Sequence, residues 1–270
     1  MKKLLAVDLD GTLLNEEHEV SEASLTAIRS YQNRGGLVVI ATGRNFQAAS
    51  IYAKKISPNL PMICFNGAYV YDPKISGFSS RRFLSHEKIE QIISIAETND
   101  VLYRYYDQDT IYATEGMREA LSKYEGGFGV KLCFLSDEAL GRYYREQDLE
   151  VPKLVFHSHE PKQLNAVREA LEEAGGFALA QSWEGVLEVM ADQVDKGSAL
   201  QLVCDELEIS MEETIAVGDQ ENDMTMIQLA GLGIAMGNGA PALKKCADAV
   251  TVTNSESAIT HVIDTYCKEE

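Results

Sequence analysis

Residues 3–9 form a short apolar run that carries Asp8 near its end and stops at Asp10 and Gly11. A run this short, without alternation between polar and apolar positions, suits a strand covered on both faces of a parallel sheet. It predicts the central strand of such a sheet. The pattern then repeats. Residues 21–34 space their apolar positions as a helix does, with Ser21 as the cap and Gly35-Gly36 as the stop. Residues 37–41 read as a second strand ending at Thr42-Gly43-Arg44, and residues 61–65 as a third running into Asn66-Gly67. Short buried strands resume at 214–217, 232–235 and 249–252. Strands alternating with helices imply right-handed crossovers and an α/β fold with a doubly wound parallel sheet.

Between about residues 82 and 181 the texture changes. Helical stretches such as 86–98 alternate with strand-like segments, including 101–106, which holds three tyrosines, and 153–157. This predicts an inserted second α/β domain. The expected division is a core from residues 1–82 and 186–270, interrupted by an inserted domain at 83–185. A chain of 270 residues, 45% hydrophobic, is large enough for two such cores.

In an open parallel sheet, ligands bind beyond the carboxyl ends of the strands, where the strand order reverses. Four predicted strands end there in polar residues: Asp8-Leu9-Asp10-Gly11-Thr12, Thr42-Gly43-Arg44, Asn66-Gly67, and Gly218-Asp219-Gln220-Glu221-Asn222-Asp223. Lys196, ahead of a predicted helix, offers a positive charge. A carboxylate nucleophile can split phosphoester hydrolysis into two easier steps, and a second carboxyl can carry the proton. Asp8 and Asp10 fit those two parts. Asp8, Asp10, Asp219 and Asp223 together fit Mg²⁺, which prefers oxygen ligands and keeps several waters.

These segments resemble those of the haloacid dehalogenase superfamily, specifically the Cof-type phosphatases. The similarity lies in Asp8 to Leu14, Ala41 to Arg44, Lys196-Gly197, and Gly218-Asp219 with Asn222-Asp223. It implies a Rossmann-like α/β core with an inserted α/β cap of the C2B type. It also implies that Asp8 is the nucleophile and a Mg²⁺ ligand, and that Asp10 is the general acid/base and ligates through its carbonyl. Asp219 would be the other direct protein ligand. Thr42, Gly43, Lys196 and Asn222 would bind the phosphoryl group, and Asp223 would support the metal waters or Lys196. An aspartate at position 10 points to phosphatase rather than dehalogenase chemistry, because only an alkoxide leaving group needs a proton. The cap would contribute specificity, with residues 103–106, the Gly126-Gly127 loop, His157 and His159 as candidates. The tyrosines there read better as core than as a sugar platform, and the two histidines lack a third metal ligand.

The net charge of −18 repels nucleic acid and anionic membranes, and the resemblance implies a small phosphorylated metabolite as the partner. The same charge requires a local positive field around any bound phosphate, which Mg²⁺, Lys196 and backbone N–H groups would supply. The five cysteines are scattered without a CxxC pair, and no apolar stretch approaches membrane-spanning length. The expectation is a cytoplasmic protein. A phosphomutase would share the same segments. A non-catalytic sugar-phosphate sensor would not need every catalytic position filled, and a signalling receiver would carry its phosphorylated aspartate on a later strand.

Overall fold

A computed structural model describes residues 3–122, 129–183 and 185–267. The chain divides into two compact units. The larger comprises Met1–Arg44, Ala49–Ser80 and Asp195–Glu270, and the smaller comprises Asn45–Ala48 and Arg81–Val194.

Numbered along the chain, the larger sheet contains β1 (Leu4–Val7), β2 (Leu37–Ala41), β3 (Met62–Cys64), β4 (Tyr69–Asp72) and β5 (Gly77–Arg81). The smaller sheet contains β6 (Leu102–Tyr106), β7 (Thr110–Thr114), β8 (Lys131–Leu135), β9 (Leu154–His157), β10 (Phe177–Ala180) and β11 (Val186–Ala191). The chain then returns to the larger sheet with β12 (Thr214–Gly218), β13 (Leu232–Ala235) and β14 (Ala249–Val250).

The larger sheet is ordered β14-β13-β12-β1-β2-β3-β4-β5. It is parallel from β14 to β3, and β4 runs antiparallel to β3. All four residues of β1 are fully buried, as its apolar run predicts. Leu4 and Ala6 join Val39, Ala41, Ala216 and Ala235 in a core under the helices Lys196–Glu206, Met224–Leu229 and Pro241–Cys246. Alternate residues Leu5, Val7, Val38 and Ile40 point to the other face. There the helices Glu22–Asn33 and Ala258–Tyr266 pack on each other, and the first also packs on β2. Successive strands proceed from β1 in one direction and from β12 in the other. The order therefore reverses between β1 and β12, and the carboxyl ends of those two strands carry Asp8 and Asp219.

The smaller sheet is ordered β10-β11-β9-β6-β7-β8 and is antiparallel except between β7 and β8. Leu154, Phe156, Leu187, Val189, Tyr105 and Tyr112 form its main core with Ile89, Ile92, Leu140, Leu164 and Val167 from three helices. Tyr105 is fully buried, stacks on Tyr112 at 5.3 Å and donates its hydroxyl proton to the Leu140 carbonyl at 3.1 Å, so it is core. His157 and His159 meet edge to face at 5.1 Å. The Gly126-Gly127 loop lies outside the described residues.

A boundary at residue 185 falls just ahead of β11. That strand pairs with β9 and β10, so the inserted unit continues to Val194. The apolar Val186–Ala191 resembles a core strand in sequence, and only its pairing partners assign it to the smaller sheet.

Candidate active site

Asp8 directly follows β1 and is 5% exposed. After it the chain makes one wide turn, closed by the Leu13 and Leu14 N–H groups donating to the carbonyls of Asp8 and Leu9. Gly11 sits in this turn at φ +75°, a conformation that disfavours side chains, and a Cβ there would run into the Asp219 carboxylate. Glycine thus lets the first turn approach the end of β12. Thr12, one residue on, donates its hydroxyl proton to Asp219 Oδ1 at 3.0 Å.

Lys196 opens its helix and is fully buried. Its Nζ lies 2.6 Å from Asp8 Oδ1 and 2.6 Å from Asp223 Oδ1. Asp223 Oδ2 accepts from the backbone N–H groups of Asp219 at 2.8 Å and Gln220 at 3.0 Å. Both oxygens of Asp223 are therefore committed, to Lys196 and to the loop bearing Asp219. The carboxylates of Asp8, Asp219 and Asp223 each offer an oxygen, and these lie within 4.8 Å of one another.

Three buried acids around one lysine are electrostatically unbalanced. Burial pushes the Asp8 carboxyl well above its usual range; Lys196 opposes the rise, while Asp223, Asp219 and Asp10 add to it. Asp219 is pushed up to about 7, first by burial and then by Asp223, against the pull of Thr12, Lys196 and Gln220. Burial also works against the charge on Lys196, but Asp223 and Asp8 outweigh it and hold the ammonium protonated. An all-oxygen cluster with this excess of negative charge suits a hard divalent cation.

β2 delivers Thr42, which is 1% exposed and whose hydroxyl accepts from the Arg44 N–H at 3.2 Å. At Gly43 a Cβ would stand 2.9 Å from Asn66 Oδ1, so the neighbouring strand end passes close by. Asn66 in turn accepts from Asn222 Nδ2 at 3.0 Å, linking the turn after β3 to the one after β12. The carboxylate of Asp10 has a partner of its own. Arg44 grips it through both oxygens, Nε to Oδ2 at 2.7 Å and Nη2 to Oδ1 at 2.5 Å. Burial works against the guanidinium charge, but the bond to Asp10 and its charge outweigh this.

The structure thus joins Asp8, Lys196, Asp219 and Asp223 in one network, with Thr12 bonded to Asp219. Thr42 and Gly43 stand beside Arg44 and Asn66, and Asn222 reaches the group through Asn66. The sequence assigns no individual part to Thr12, Arg44, Asn66 or Gln220, although each occupies a polar strand end.

The profile of the haloacid dehalogenase-like hydrolases matches residues 5–263, nearly the whole chain. The chain belongs to that family. Phosphatase YwpJ of Bacillus subtilis is 33% identical, over 97% of this chain and 98% of its own length. The 5-amino-6-(5-phospho-D-ribitylamino)uracil phosphatase YitU, also from Bacillus subtilis, is 28% identical over 97% of each. Among solved structures, a haloacid dehalogenase-like hydrolase from B. subtilis superposes with a TM-score of 0.86 at 29% identity, over 98% of this chain and 100% of the other. The larger unit is the core of this hydrolase family and the smaller unit its inserted cap. Among the described residues no helix is long and apolar enough to cross a membrane.

Proposed function

We propose that this hydrolase removes phosphate from small phosphomonoesters, such as sugar phosphates, with Mg²⁺ as its metal and Asp8 as nucleophile. The observation that carries this reading is the pairing at Asp8. Lys196 holds one oxygen at 2.6 Å, and among the described residues nothing donates to the other, which is left to attack phosphorus. Asp8 and Asp219 supply carboxylate oxygens for Mg²⁺, with the Asp10 carbonyl as a further ligand. When bound, the ion neutralises charge on the phosphoryl oxygens.

The chain's own residues supply the remaining steps. Lys196 orients Asp8 and offsets phosphoryl charge; the Thr42 hydroxyl, the Gly43 N–H and Asn222 hold the other phosphoryl oxygens. As the Asp8–phosphorus bond forms, Asp10 gives its proton to the departing oxygen. It then takes one from the water that releases Asp8. Asp223 keeps Lys196 and the Asp219 loop in place. The named activity of YitU supports a substrate in which the phosphate is borne by a polyhydroxylated chain.

A panel of sugar, polyol, nucleotide and cofactor phosphates, assayed for phosphate release with MgCl₂ and again with EDTA, tests the proposal. The expected result is turnover of several small esters in Mg²⁺ and none after chelation. Undiminished activity in EDTA, or no release from any ester, would overturn it.

A further inference from the structure

We propose that Arg44 is a positioning residue for Asp10. It fixes the plane of that carboxylate so that the remaining lone pairs face the departing oxygen. The inference rests on the phosphatase reading above and adds to it a group that acts through the acid rather than on the phosphate. The fork from Nε and Nη2 engages both Asp10 oxygens, the arrangement in which a guanidinium sets direction as well as charge. Each carboxylate oxygen keeps a further lone pair, so the fork leaves room for the proton that Asp10 must carry.

Arg44 is itself held. Its guanidinium carbon lies 5.2 Å from the centre of the Tyr52 ring, and Nη1 stands 3.5 Å from the Tyr52 hydroxyl. That hydroxyl donates to the His18 carbonyl at 3.1 Å. The side chains of Arg44 and Asp10 are 15% and 22% exposed, so the pair is shielded while the carboxylate still reaches solvent. Arg44 thus ties the turn after β1 to the end of β2, two strands that are neighbours in the sheet. The proton moves as in the proposed reaction: from the Asp10 carboxyl to the leaving oxygen as its bond to phosphorus breaks, then from water back to Asp10. Arg44 stays charged throughout.

A residue acting through the general acid should matter most where the leaving group most needs a proton. The test is kcat/KM for phosphomonoesters of graded leaving-group basicity, from p-nitrophenyl phosphate to a simple alkyl phosphate. It compares wild type, Arg44→Gln, Arg44→Lys, Asp10→Asn and the Asp10→Asn/Arg44→Gln double variant. Arg44→Gln is expected to lower kcat/KM for the alkyl ester by about 100-fold, the scale of a misplaced catalytic group, and that for the nitrophenyl ester by much less. Arg44→Lys, which keeps the charge but not the fork, should recover only part of the loss. In the Asp10→Asn background Arg44→Gln should have no further effect.

An equal loss across all esters with a raised KM would make Arg44 a phosphate ligand and overturn the proposal. So would full recovery in Arg44→Lys, or additive losses in the double variant. A wild-type enzyme inert towards every ester would instead sink the phosphatase reading. Those two failures are therefore distinguishable.

Discussion

Lys153 in the cap and Lys196 in the core are both enclosed, at 4% and 0% exposure, and each has a carboxylate oxygen 2.6 Å from its Nζ. Around them the charges differ. Lys153 meets Glu188, itself 4% exposed, while Arg104 on the same sheet face donates to the Tyr106 hydroxyl at 2.9 Å. Lys196 is shared by Asp8 and Asp223, with Asp219 within reach of both. The first arrangement sets one carboxylate against a lysine that also lies 5.2 Å from the centre of the Tyr106 ring. The second holds more negative charge than one ammonium can offset, and it is the site where carboxyl groups are driven upward. Burial of a lysine alone therefore says little; the count of acids around it separates a packing device from a reaction centre.

The largest expected effect is at Asp8. Asp8→Asn should lower kcat for phosphomonoester hydrolysis by about 10⁴-fold or more, as loss of a nucleophile does, with the fold intact by circular dichroism. Activity within tenfold of wild type would remove Asp8 from the chemistry.

Next come the lysines. Lys196→Met and Lys153→Met should each cost about 3–5 kcal/mol in urea denaturation of the metal-free protein, because each removes a buried cation that faces a buried carboxylate. The double variant Lys153→Met/Glu188→Leu should regain most of that cost, since an apolar pair can replace a buried ion pair. Lys196→Met/Asp223→Leu should not, because Asp223 also holds the backbone N–H groups of Asp219 and Gln220. Recovery at both sites would erase the distinction between them.

The smallest effect is in pH. Protons on Asp8 and Asp219 compete with the cation, so apparent Mg²⁺ affinity should weaken as pH falls below about 7, by at most about tenfold per unit for each proton displaced. The sign for stability is the reverse. A carboxyl raised in the folded state favours folding below its ordinary value of 3.8, and for Asp219 that contribution is lost as pH rises towards about 7. The rise in melting temperature on adding Mg²⁺ should accordingly be larger at pH 8 than at pH 6. A Mg²⁺-induced shift independent of pH would contradict the raised carboxyl groups.

Much of this was legible in the sequence because buried parallel strands are short apolar runs that stop at polar turns. The ends of β1, β2, β3 and β12 could be read as such, and the helix Glu22–Asn33 begins where Ser21 accepts from the Ser24 N–H at 3.1 Å. The bond between Asp10 and Arg44 was not legible. It joins turns 34 positions apart, and only the side-by-side pairing of β1 and β2 brings them together. Lys153 and Glu188 were likewise hidden, since a charged residue beside or within a strand reads as solvated until both neighbours in the sheet are known. The limit of the smaller unit is hidden in the same way, because β11 is apolar enough for either sheet.

The central claim is that the acids around Lys196 form a divalent-cation site whereas Glu188 beside Lys153 does not. Calorimetric titration of MgCl₂ into metal-stripped protein at pH 8 tests it most directly, comparing wild type with Asp219→Asn and with Lys153→Met/Glu188→Leu. The account predicts one Mg²⁺ per chain, lost or severely weakened in Asp219→Asn and retained in the cap double variant. Binding that survives Asp219→Asn but disappears with Lys153 and Glu188, or no binding in the wild type, would contradict it.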